Sequence, residues 1–71
     1  MGGEKLKINE NKFMLIMANV GISAKDLAHL SGVNEVTLCR IKKGQQLARP
    51  KTLGKLARAL DCKVEDFIEV N

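Results

Sequence analysis

Phe13, Ile16, Met17 and Val20 recur at i, i+3, i+4 and i+7, the spacing that gathers apolar side chains on one face of a helix. A first helix is therefore predicted from a cap at Asn9 or Asn11 through about Asn19, with Gly21 ending it. Ser23 followed by Asp26 is a weak capping box, because Asp is shorter than the Glu or Gln that closes such a box best. It opens a second, short helix that carries Leu27 and Ala28 inward. Gly32 permits a turn of positive φ, Asn34 caps a third helix to about Lys43, and Gly44 stops it. Gln45 to Arg49 reads as a polar loop. Pro50 suits the first position of a fourth helix, where a missing N–H loses no bond, and Leu53, Leu56, Ala57 and Leu60 form its apolar stripe. Lys51, Lys55 and Arg58 fall opposite. Val64 to Ile68 predicts a fifth, short helical segment. At both ends the period changes to two: Lys5-Leu6-Lys7-Ile8-Asn9 and Ile68-Glu69-Val70-Asn71 alternate, as short strands or extended arms do.

Seventy-one residues make one small domain, 1–71, in which nearly every apolar residue must serve a single core. Residues 1–4 are expected to be disordered and outside it. With 45% hydrophobic and 28% charged residues the composition is that of a folded globular chain. No apolar run approaches the ~18 residues of a membrane span, and Met1 to Glu10 lacks the apolar stretch of a signal peptide, so a cytoplasmic protein without membrane contact is expected. Cys39 and Cys62 lie far apart without a Cys-x-x-Cys, and His29 is the single histidine. No metal-ligand spacing results, and two free thiols suit a reducing compartment. His29 is expected at the surface, and one histidine supplies no nucleophile–base pair. No enzyme, cofactor or small-molecule substrate is expected.

Charge sharpens the picture. The chain carries a net +4, and residues 34–58 hold seven Lys and Arg against the lone Glu35, while the C-terminal segment is acidic. A cation cluster confined to one stretch is the electrostatic footprint of a polyanionic partner. That stretch contains the third helix. At 100° per residue, Leu38 and Ile41 turn inward, Val36, Arg40 and Lys43 turn outward, and Glu35 and Thr37 flank them. Helices as short as the second and third are unstable alone, so they persist only packed against each other and against their neighbours. Ala28 is small enough for a close crossing and Gly32 sets the angle. The outward face has about the width of a DNA major groove.

These residues resemble the Cro and phage-repressor type (XRE) helix-turn-helix family. The resemblance rests on Leu27-Ala28, Gly32-Val33, Thr37-Leu38, Arg40-Ile41, Gly44, and Arg49-Pro50 followed by Leu53, Leu56-Ala57 and Leu60, and it spans residues 11 to 68. It implies an all-α, compact five-helix repressor-like DNA-binding domain, with the helix-turn-helix at helices 2 and 3, about residues 23–43, and possible short terminal strands. The family's second helix usually starts with a Gln that touches phosphate or base; Ala24 stands there, which hands the contact to Ser23 or Lys25 or loses it. Thr37 and Arg40 match positions that approach the DNA backbone and base edges, and Glu35 and Val36 match the variable base-reading positions. Glu accepts from a cytosine amino group, and Val touches a thymine methyl. Lys42 stands where the family often has Glu, Asp61 where it has Gly or Asn, and Lys63 where it has Ser or Thr.

The expected DNA-binding set is Ser23, Lys25, Asn34, Glu35, Val36, Thr37, Arg40, Lys43, Gln45, Gln46, Arg49 and Lys51, the basic and amide residues among them aimed at phosphates. Asn34 and Thr37 also admit a plainer role, capping and holding the third helix. The expected function is sequence-specific binding of double-stranded DNA as a transcriptional regulator, with the third helix in the major groove. The alternative is a protein-interaction module on the same fold, antitoxin-like or a scaffold partner, which Ala24 and the acidic C-terminus favour. RNA or single-strand binding is disfavoured: the chain has no Trp or Tyr, and its two Phe sit at core spacing. A homodimer is expected, because Met14 and Leu15 leave helix 1 apolar on a second side and the alternating ends are free to pair within one chain or across two.

Overall fold

The computed structural model describes residues 6–69. The expected disorder of residues 1–4 and the alternation at Lys5 and at Val70-Asn71 lie outside the described residues. Four α-helices run in order: α1 (Glu10–Val20), α2 (Ala24–Ser31), α3 (Glu35–Lys42) and α4 (Pro50–Ala59). The first three begin where a side chain replaces the missing backbone acceptor. Asn9 Oδ1 accepts from Lys12 N at 3.0 Å. Ser23 Oγ accepts from Asp26 N at 3.1 Å while Ser23 N donates to Asp26 Oδ2 at 3.4 Å, so the capping box closes and the short Asp makes its second bond the longer.

The turn between α2 and α3 needs Gly32 for its backbone alone: φ is +76°, and a Cβ placed there would meet nothing within 4 Å. Ser31 Oγ accepts from Val33 N at 3.2 Å and Val33 is buried, which fixes how α3 leaves the turn. α2 packs on both α3 and α4, and the core they enclose with α1 contains Phe13, Leu27, Leu38, Ile41, Leu53, Leu56 and Phe67. No helix is long and apolar enough to cross a membrane.

Three sequence expectations change. The fifth helix is a single 3-10 turn, Val64–Asp66. Asp66 Oδ2 accepts from Lys63 N at 3.0 Å and starts the turn, but Phe67 then drives fully into the core and Ile68 pairs with Ile8, so the chain cannot continue as a helix. Val20 has the angular position of Phe13, yet it lies in the last turn of α1 and is exposed. The loop Gln45–Arg49 is not wholly polar in its placement: Ala48 is 1% exposed and forms an antiparallel bridge with Leu6.

The alternating ends pair within the chain. Leu6 N donates to Ala48 O and Ala48 N to Leu6 O, both at 2.9 Å, while on the other edge Asn9 N donates to Phe67 O and Glu69 N to Lys7 O, both at 2.8 Å. Residues 6–9 thus lie between the α3–α4 loop and the segment after the 3-10 turn.

Candidate nucleic-acid interface

α3 presents the face that its sequence pattern predicts. Leu38 and Ile41 are buried, whereas Glu35, Val36, Arg40 and Lys43 are exposed. Val36 is the unusual member, a branched apolar side chain 58% exposed on a short helix with nothing of this chain over it. Exposure of that kind is costly only in bulk water and favourable against another apolar group. The charges also fit the helix itself: Glu35 lies in the first turn and Arg40 and Lys42 in the last, each opposite in sign to the helix end it occupies. Lys42 is half-buried and Cys39 lies half-buried at the edge of the face.

Asn34 has a structural duty. Its Oδ1 accepts from Val36 N at 2.9 Å and from Thr37 N at 3.3 Å, so the side chain is the N-cap of α3 and only its amide NH₂ is left for a partner. Ser23 is similarly engaged as the cap of α2, with Lys25 exposed in the first turn beside it.

A groove runs between α3 and the start of α4. Thr37, Ile41, Gln46, Leu47, Arg49 and Thr52 line it. It brings together three expected residues, Thr37, Gln46 and Arg49, from a helix, a loop and a helix start; Gln45 and Lys51 are exposed next to it in the chain. Ser23 and Lys25 lie outside this groove. No side chain caps α4, and Pro50 has no N–H, so the free backbone donors at this end are those of Lys51 and Thr52. The first turn of α4 contains no acid. A positive helix terminus flanked by Arg49 and Lys51 is therefore an anion-attracting corner. Among the described residues no carboxylate lies within ion-pair distance of Arg40, Lys43, Arg49 or Lys51.

Sequence reasoning missed Leu47, Thr52 and Lys7. Leu47 and Thr52 join the groove only because the loop folds back on α3. Lys7 is brought in by a long-range approach: a Cβ on Gly44, whose φ is +78°, would stand 3.1 Å from Lys7 Cε. The Lys7 ammonium lies 4.0 Å from Glu69 Oε1. Lys55 and Arg58, omitted from the expected set, line a different depression with Leu30 and Ser31 at the end of α2. Cys62 is half-buried beyond α4, where burial pushes its thiol above the ordinary value, with Asp66 and Asp61 adding to the rise; it is a protonated thiol at neutral pH.

Comparison with known proteins agrees with this geometry. A family model for the Cro/C1-type HTH DNA-binding domain matches residues 12–71. Among solved structures, the restriction-modification controller protein C.AhdI from Aeromonas hydrophila is similar, with 26% sequence identity, a TM-score of 0.74, and coverage of 80% of this chain and 86% of that one. Comparison with curated protein sequences finds no match.

Proposed function

Because the chain belongs to the Cro/C1-type helix-turn-helix DNA-binding family, we propose that it is a transcriptional regulator that binds duplex DNA sequence-specifically with α3 in the major groove. The observation that carries this reading is the exposed row Val36, Arg40 and Lys43 on a capped helix, next to a groove lined by Arg49, which has no ion-pair partner among the described residues, and by the free backbone N–H groups that start α4. Base edges are read by Arg40 and Val36 of the row and by Glu35 on its flank: Arg40 donates to guanine, Val36 meets a thymine methyl, and Glu35 accepts from a cytosine amino group. Phosphates are held by Lys43, Gln45, Gln46, Arg49 and Lys51, with the start of α4 adding its dipole, and by Ser23, Lys25, Asn34 and Thr37 around the helix-turn-helix. The likeness to a restriction-modification controller supports a regulatory role on the same fold.

A homodimer completes the reading. Asn11, Met14, Leu15 and Ala18 share one face of α1 at i, i+3, i+4 and i+7, with Met14 52% and Leu15 65% exposed. This ridge is uncharged and self-complementary: two α1 helices packed antiparallel about a two-fold set Met14 on Leu15 and Asn11 on Ala18 of a second copy. One short helix ridge buries less than the roughly 1,200 Å² typical of stable interfaces, so the dimer is weak in solution and forms fully on paired half-sites. Because Leu6, Ile8 and Ile68 pair internally, and Phe67 is a core residue, the chain ends supply no partner surface among the described residues.

The test is duplex binding across a salt series. DNA binding predicts a log–log slope of about −0.9 per phosphate neutralised. A salt-independent interaction with a protein partner would replace this reading with that of an interaction module.

A further inference from the structure

The terminal segment is placed where it bears on the DNA-facing loop. Ala48 sits between Gln46 and Arg49, which line the groove, and is itself almost fully buried. Its backbone is held on both sides of the peptide by Leu6, N to O and O to N, at 2.9 Å each. One residue further, Lys7 lies across Gly44 at the other end of the same loop, close enough that a Cβ there would crowd it. Lys7 and Asn9 are in turn tied to Glu69 and Phe67 through main-chain bonds, and Phe67 is anchored in the core. The loop is therefore fastened to the core through a two-step ladder of backbone bonds and not only through the helices that it connects.

We propose that the Leu6–Ala48 backbone pair is a brace that pre-sets the α3–α4 loop for phosphate contact, making Leu6 a positioning residue for DNA binding although it touches no DNA. A loop of seven residues between two helices, 43–49, is ordinarily among the more mobile parts of a domain. Holding Ala48, two residues before α4, in the free protein removes an ordering step from binding, so the contacts of Gln46, Arg49 and the start of α4 form together. The bonds involve main-chain atoms, so the brace depends on the Leu6 N–H and C=O more than on its side chain. The inference rests on the DNA-binding reading above for its effect, but the brace itself is observable without DNA.

Three variants of the full chain test it: Leu6→Pro, which removes the donor to Ala48 O; deletion of residues 1–6, which removes both bonds; and Leu6→Ala, which keeps both. Amide hydrogen exchange in the free proteins should show the Ala48 N–H protected in wild type and Leu6→Ala, exposed in the deletion variant, which lacks the Leu6 carbonyl that accepts from it, and intermediate in Leu6→Pro, which keeps that carbonyl but loses the paired bond, with Leu53 and Leu56 of α4 protected in all four. Slow exchange at Ala48 in the deletion variant would overturn the brace. On a duplex, Leu6→Pro and the deletion should flatten the log–log salt slope by about one to two units, because one or two phosphate contacts are lost. Affinity near 0.1 M salt should fall about tenfold, while the ratio of specific to random duplex stays constant. A merely destabilising change lowers the active fraction and leaves the slope unaltered, so an unchanged slope in variants whose α4 amides remain protected would overturn the positioning role. Exchange that behaves as expected, in a wild-type protein without salt-dependent duplex binding, would instead overturn the DNA-binding reading and with it the positioning role.

Discussion

Phe13 and Phe67 meet edge to face in the core, with ring centroids 5.1 Å apart and planes at 81°. One ring comes from α1 and the other from the residue that ends the 3-10 turn, so this contact closes the chain's end onto its beginning. Such geometry contributes about 0.5–1.5 kcal/mol beyond the area buried. Phe13→Leu, Phe67→Leu and the double variant, compared by urea unfolding, should give a coupling energy of that size; additive losses would show that the two rings act only through burial.

Asn34 should separate helix stability from DNA contact. Asn34→Ala removes the acceptor for Val36 N and Thr37 N and should cost about 1 kcal/mol, lowering the melting temperature by about 4–8 °C. Asn34→Asp keeps the cap and should melt close to wild type, yet it sets a negative charge at the start of α3 and should bind duplex more weakly than wild type at low salt. Equal binding by Asn34→Asp would place this end of α3 away from the phosphates.

Asp61 has φ +55° at the exit of α4, where Asp61 N donates to Arg58 O and Cys62 N to Ala57 O. This closure favours a residue at ease in the left-handed region, as Gly and Asn are. Asp61→Asn should stabilise the domain by about 0.5–1 kcal/mol, seen as a melting temperature a few degrees higher. A lower one would show that the Asp61 carboxylate has a use that its backbone does not reveal.

Much of this architecture is legible in single residues. Asn9, Ser23, Asn34 and Pro50 mark helix starts, Gly21, Gly32 and Gly44 mark ends, and the inward and outward faces of α3 follow from its period, because caps and faces depend on neighbours within one or two turns. Pairing is not local in this sense. The alternation around Leu6 and Ile8 signals an extended segment but names no partner, and Ala48, inside a polar stretch, has no local signal for burial at all. Val20 failed for the converse reason: its angle is right, but coverage depends on where other helices end. Among the candidate site residues, exposure was readable from the sequence, whereas the convergence of Thr37, Gln46, Arg49 and Thr52 on one groove depends on how the loop returns to α3.

The ridge on α1 predicts a charge-sensitive dimer. In sedimentation with a duplex carrying two half-sites, wild type should load two chains per duplex cooperatively, and Leu15→Glu should load them independently while its single-site affinity stays the same. Cooperative loading by Leu15→Glu would move the dimer surface elsewhere on the molecule.

The proposal that α3 reads base sequence is tested most directly by selecting bound duplexes from a random pool at fixed salt, with wild type and with Arg40→Ala in parallel. Wild type should enrich a short defined site. Arg40→Ala should lose about 1–3 kcal/mol against that site and relax preference at one base pair, leaving binding to random duplex unaltered. No enriched sequence from wild type, or an equal loss by Arg40→Ala on every duplex, would contradict base readout by α3.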